Sequence, residues 1–246
     1  MSRKISSLNV LELKEPSKYI KPYRMDFVQD GRRRTWDGIL AHDSVSILLY
    51  HSEKKSLLLV KQFRPVVYYS KLRKLGIIRS VTDSPVESNE IDLPSSEIGE
   101  TLELCAGIID GVQTNPKLYA VQEVLEECGY KINEDSLHLI NSFLMTYMDF
   151  TQLVLLSNSS SSVGLAGTEV TLYYAEVHEN QKVPNAGGGL HEEGEYIEVI
   201  EWPVSRIEEL FQYGTNSTHQ QPTSLSLLYA IMWFKQNILP SLFIQS

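Results

Sequence analysis

Three glutamates, Glu123, Glu126 and Glu127, fall within one helical turn of each other. With Glu123 at zero on a wheel of 100° per residue, Glu126 and Glu127 stand at about −60° and +40°. Val121, Val124, Leu125 and Cys128 gather on the far side, near roughly 150°. Like charges at these spacings destabilise a helix by roughly 0.2–0.5 kcal/mol per pair. A divalent cation reverses that sign, and carboxylate oxygens suit Mg²⁺ or Mn²⁺. A solvated acidic face fits the same spacing and is the commoner arrangement.

Two further stretches hold residue types that could work beside such a helix. Gly187–Glu195, Gly-Gly-Gly-Leu-His-Glu-Glu-Gly-Glu, is a loop whose glycines let backbone and carboxylates approach a ligand closely. Taken alone it reads as a flexible acidic connection. Lys61-Gln62-Phe63-Arg64-Pro65 ends an apolar run with a guanidinium, which grips phosphate bidentately where a Lys would not. Its ordinary reading is a surface Arg at a strand end.

Ala106-Gly107 followed by Gln122-Glu123-Val124-Leu125-Glu126-Glu127-Cys128-Gly129-Tyr130 resembles the Nudix box. That signature is a Gly, a Glu six residues on, then Arg-Glu-apolar-x-Glu-Glu-x-Gly-apolar. The second half matches at every defined position except Gln122, which stands where the box has Arg. The first half carries one extra residue and has no Glu near Gln113 or Thr114. Trp36-Asp37, His42–Val45, Val60–Pro65, Glu103–Asp110, Val163–Leu165 and Gly187–Glu195 extend the likeness across residues 36–200. It is greatest to the UDP-sugar diphosphatase (UDP-glucose pyrophosphatase) branch, which is related to the ADP-ribose pyrophosphatases. Those relatives usually carry Pro where Cys105 sits.

The resemblance implies a metal-dependent hydrolase that splits the pyrophosphate bond of a nucleoside diphosphate sugar such as UDP-glucose into UMP and sugar 1-phosphate. It implies Mg²⁺, with Mn²⁺ the alternative, held by Glu123, Glu126, Glu127, Glu195 and the Ala106 carbonyl. Glu193 is the expected base toward the attacking water, with Glu192 and Glu195 as alternatives, and Glu127 is expected to be catalytic. Arg64 is expected at the phosphates, Glu103 at the sugar and Trp36 stacked on the base, although a core Trp is the ordinary reading of that residue. An ADP-ribose pyrophosphatase and a non-catalytic nucleotide-sugar-binding module are the competing readings. Gln122 and the missing Glu motivate the second.

Positioning these groups requires a strand into the box, the helix itself and strands on either side of the late loop. Asn115 suits the N-cap, Pro116 the first helical position and Gly129 the left-handed residue after the last turn, predicting a helix between 115 and 129. Tyr23–Gln29 and Arg33–Ile39 flank Asp30-Gly31, a hairpin signal. Ser44–Tyr50, Leu57–Gln62, Thr101–Leu104, Leu137–Ser142, Glu169–Val177 and Glu195–Trp202 read as strands. Pro203–Tyr213 and Ser224–Ile238 read as helices, residues 71–99 as a long polar loop and 143–162 as an insert. Mixed strands with few helices imply an α+β fold. The resemblance sharpens this to a Nudix fold, a mixed β-sheet between helices. It also implies an N-terminal β-hairpin extension over residues 1–43, placed at a homodimer interface, ahead of a hydrolase domain over 44–246.

Composition bounds the partners. A formal net charge of −9 argues against nucleic acid held through phosphates. No apolar run reaches the ~20 residues of a membrane span. Two cysteines, Cys105 and Cys128, make neither a disulfide framework nor a zinc set. With no apolar stretch of signal-peptide type in Met1–Leu11, a cytoplasmic protein is expected.

Overall fold

A computed structural model describes residues 5–11, 13–78, 93–111, 115–144, 165–212 and 223–244. The alternating hairpin forms as its turn chemistry requires. β1 (Lys21–Gln29) and β2 (Arg32–Leu40) pair antiparallel as a sheet of their own. Asp30 and Gly31 both take positive φ, 53° and 75°.

The main sheet has seven strands. β3 (Ser44–His51) and β4 (Ser56–Phe63) touch only near their connecting turn, pairing at Leu49–Leu58, Tyr50–Leu57 and His51–Ser56. Beyond that the two strands diverge, and the segment before the acidic helix fills the split. β5 (Glu100–Glu103) pairs with Val60–Phe63 of β4, and β6 (Cys105–Ile108) pairs with Ser44–Ile47 of β3. The strand predicted over Thr101–Leu104 is β5, and a second strand not predicted, β6, follows it after Leu104, where the chain crosses from one partner to the other. β7 (His138–Leu144), β8 (Glu169–Val177) and β9 (Ile197–Pro203) complete the sheet, β8 running parallel to β3 and β9 antiparallel to β4.

Alternation along β3 and β4 feeds two cores, as the two-residue period of a strand demands. Val45, Ile47, Leu49, Leu58 and Val60 face one side, where Ala120, Val124 and Cys128 of the acidic helix cover them. Leu48, Tyr50, Leu57 and Leu59 face the other side, under Leu227, Ala230, Ile231 and Phe234. These last belong to α3 (Leu225–Asn237), capped by the Ser224 side chain and followed by α4 (Leu239–Ile244). Burying a side chain such as Val124 contributes about 1.5–3 kcal/mol, and with Ala120 and Cys128 it binds the acidic helix to the sheet by an apolar stripe.

Two expectations fail locally. α1 (Pro65–Lys74) runs into the segment read as loop from residue 71, with Tyr68 and Leu72 buried beneath it. Pro65, just after the run 57–62 read as a strand, opens this helix. Residues 204–212 form tight three-residue-per-turn helix with a kink at Arg206, not a regular α-helix. Gln113, Thr114, Val163, Gly164, residues 79–92 and most of the 143–162 insert lie outside the described residues. Among the described residues, no helix is long and apolar enough to cross a membrane.

Candidate active site

α2 (Pro116–Glu123) begins where predicted, with the Asn115 side chain accepting from Lys117 N–H and Pro116 at the first position. It then widens into a π-helical turn over Val124–Cys128 and stops at Gly129, whose φ is 75°. The wider turn departs from 100° per residue, and Glu127 does not stand on an outer face. It is only 4% exposed.

Three segments cover it. From β6, Ala106 N–H donates to Glu127 Oε2 at 2.9 Å. From the late loop, Gly188 N–H donates to Glu127 O at 2.9 Å and Gly189 N–H to Glu126 O at 3.0 Å. Those carbonyls end the helix and would otherwise lack partners. Gly187 makes the approach possible: its φ is 92°, and a Cβ there would stand 3.0 Å from Gly129 N. Lys182 Nζ closes the helix end by donating to Cys128 O at 2.7 Å, favourable beside the negative end of the helix dipole. The glycine-rich loop and the box helix are thus one hydrogen-bonded unit.

Electrostatics follow from this packing. Burial pushes the Glu123 carboxyl up to about 8, with Glu127, Glu126, Glu195 and Asp110 adding like-charge repulsion. Burial likewise pushes Glu127 up to about 7; Ala106 N–H, the Cys105 thiol and Arg64 pull it back, and Glu195 opposes them. Gly107 lies against the Glu123 carboxylate so closely that a Cβ would overlap it. Gln122 Nε2 donates to Glu126 Oε1 at 2.9 Å, an i,i+4 contact that orients this carboxylate without neutralising it.

Each carboxylate thus rests on its own support. Among the described residues, no three His, Cys, Asp or Glu side chains are already set as a ligand cage. The donor set nevertheless fits a hard divalent cation. Glu123 and Glu127 are desolvated and, with the exposed Glu195, repel one another, which is the environment such an ion relieves.

The remaining predicted residues divide. Arg64 joins the site, within the field of Glu127 and Glu195. Glu103 sits beside it, but both its oxygens are taken: Arg64 Nε and Nη2 donate to them at 2.9 and 2.7 Å, and Thr101 Oγ1 donates to the first. Glu193 closes the short turn 191–193, and its side chain lies outside what is described. Trp36 is not a core residue. It is 50% exposed, opposite Met25 on the hairpin sheet. Sequence reasoning missed Thr101, Asp110, the thiol of Cys105 as a partner of Glu127, and Lys182. No local signal marks Lys182, since its acceptor lies 54 residues away.

No model of a known protein family matches the chain. Individual curated proteins match nearly all of it. The mouse protein named uridine diphosphate glucose pyrophosphatase NUDT14 is 36% identical over 231 residues, 93% of this chain and 94% of that one. The bovine protein of the same name is 34% identical with the same coverage. A GDP-mannose pyrophosphatase of Shigella flexneri is 27% identical over 172 residues, covering 70% of this chain and 65% of its own. A solved structure titled an ADP compounds hydrolase superposes with a TM-score of 0.53 over 98% of both chains at 12% identity, a likeness of fold. Sharing more than a third of its residues with the mouse protein along nearly the whole length of both, and folding its glutamate-rich segment against a glycine loop, the chain belongs to the Nudix hydrolase family.

Proposed function

We propose that the chain is a metal-dependent UDP-sugar diphosphatase, hydrolysing the pyrophosphate bond of UDP-sugars such as UDP-glucose to UMP and sugar 1-phosphate. One observation carries this reading: the Gly188 and Gly189 amides bind the carbonyls of Glu127 and Glu126, bringing the late acidic loop onto the box helix beside Arg64. The named activity of the two NUDT14 relatives supports a uridine substrate, and that of the Shigella relative supports the wider class of nucleoside diphosphate sugars.

Glu123, Glu126, Glu127, Glu195 and the Ala106 carbonyl would hold Mg²⁺, or alternatively Mn²⁺. Such an ion supplies neutralisation of the diphosphate and acidification of water. Glu127 is steadied by Ala106 N–H, which fixes one carboxylate oxygen against β6. Arg64 offers N–H donors to phosphoryl oxygens as charge shifts toward the leaving group. Glu193 takes a proton from the attacking water; the new P–O bond forms as the bridging P–O bond breaks.

Residues 1–43 serve as an extension of the domain over 44–246 and pair two copies about a two-fold axis. Exposed Met25, Phe27 and Val28 on the hairpin support this, and the half-exposed Trp36 would stack on the base. We place the enzyme in the cytoplasm.

Initial rates on UDP-glucose, ADP-ribose and GDP-mannose at equal Mg²⁺, with and without EDTA, test the reading. UMP release should be fastest from UDP-glucose and stop with EDTA. Faster turnover of ADP-ribose would replace it with the ADP-ribose reading, and binding without product with a non-catalytic module. Sedimentation should give twice the 28.0 kDa chain mass.

A further inference from the structure

Arg64 is fixed at its backbone before its side chain is considered. It is the residue ahead of Pro65, its N–H donates to Gly99 O at 2.9 Å, and its own carbonyl accepts from Val67 and Tyr68 N–H at the start of α1. The guanidinium then meets Glu103 edge on, with Nε to Oε1 at 2.9 Å and Nη2 to Oε2 at 2.7 Å. Thr101 Oγ1, two residues back on β5, donates to the same carboxylate. Glu103 is mostly covered and has each oxygen engaged, whereas Arg64 Nη1 has no hydrogen bond among the described residues.

This arrangement solves a problem of placement. An unrestrained Arg in the field of Glu127 and Glu195 would fold onto those carboxylates and neutralise the groups needed for a cation. A bidentate carboxylate on its other edge prevents that, because the planar fork can satisfy only one partner along each edge.

We infer that Glu103 is a positioning residue for Arg64 and not a ligand of the sugar. It clamps the Nε/Nη2 edge and leaves the remaining N–H groups directed at the substrate's phosphoryl oxygens, with Thr101 holding the clamp. This deepens the nucleotide-sugar hydrolase reading and rests on it. A clamp acts on what all substrates share, the diphosphate; a sugar ligand acts on what distinguishes them.

Glu103→Gln keeps the size and removes the charge. Its kcat/KM should fall by about 10–100-fold, the usual effect of losing a supporting partner. The factor should be the same on UDP-glucose, UDP-galactose and UDP-N-acetylglucosamine. In an Arg64→Ala background the substitution should add almost nothing, since the two residues act as one unit. Thr101→Val should give the same uniform pattern at smaller size, which decides the matter if Glu103→Gln fails to fold. A loss that differs from sugar to sugar, or that persists undiminished beside Arg64→Ala, would overturn the clamp. Binding of a methylene-bridged, non-hydrolysable UDP-glucose on the same variants separates the two levels. Wild-type protein that binds this analogue yet releases no UMP from UDP-glucose sinks the hydrolase reading alone, and the clamp is then judged on the binding ratios.

Discussion

The two ends of β3 each carry a cluster of carboxylates, and they are treated in opposite ways. At the C-terminal end, the buried His51 ring reaches Glu179 Oε2 at 3.1 Å and Glu53 Oε2 at 3.3 Å. Lys54 Nζ reaches Glu201 at 2.6 Å and Glu179 at 3.4 Å. Every acid there has a basic partner, and hydrogen bonds hold Glu53 and Glu179 below the usual carboxylate range, from its own backbone N–H first for Glu53 and from His51 first for Glu179. At the N-terminal end, where Ser46 pairs with Ala106, half-buried Glu123 and buried Glu127 lie among other acids and are pushed up to about 8 and about 7. Arg64, a cation within the field of Glu127, is tied to Glu103. The lesson is that acidic residues alone do not mark a site. A compensated cluster is structural, and an uncompensated, desolvated one is held ready for a ligand of opposite charge.

Removing one ligand carboxylate should give the widest separation between the clusters. Glu127→Gln should lower kcat on UDP-glucose by about a hundredfold or more, the equivalent of roughly 3 kcal/mol of transition-state stabilisation. Near-full Mg²⁺-dependent turnover by this variant would end the assignment of the helix as a cation site.

The pH dependence of stability should also take opposite signs. Glu123 and Glu127 have folded values raised above the ordinary 4.5, so the native state holds more protons than the unfolded chain between about 4.5 and about 8. Metal-free protein should therefore lose thermal stability as pH rises through that window, and added Mg²⁺ should restore it near pH 8. Glu53 and Glu179 have depressed values, so their contribution is present above 4.5 and lost as pH falls through their folded values. Melting temperatures in EDTA from pH 4 to 9 test both limbs. A metal-free protein that grows steadily more stable up to pH 8 would contradict the crowded-carboxylate picture.

Smallest of all should be the effect of Glu179→Gln. It removes an exposed partner of His51 and Lys54, so kcat/KM should stay at the wild-type value and the melting temperature should shift only slightly. A large loss of activity would show that the two ends of β3 are coupled.

Much of this was legible along the chain because the signals are short. Asn115, Pro116 and Gly129 bound the box helix through contacts within a few residues, and Asp30-Gly31 set the hairpin register. The same local view missed α1, whose helix is stabilised by burying Tyr68 and Leu72 against residues distant in sequence. It also missed β6, because that strand is set by pairing with distant Ser44–Ile47 of β3 and follows β5 with no breaker residue between them.

What the sequence alone determined is which groups are available: three box glutamates on one short helix, a glycine-rich acidic loop, and an Arg ending a strand. Tertiary structure decided their state. Glu127 is buried by Ala106, 21 residues earlier, and by a loop more than fifty residues later; Arg64 is clamped by Glu103, 39 residues on. Charge, capping and turn preference act over a few bonds and can be read in order. Desolvation depends on which distant segments displace water, and only the folded chain brings those segments together.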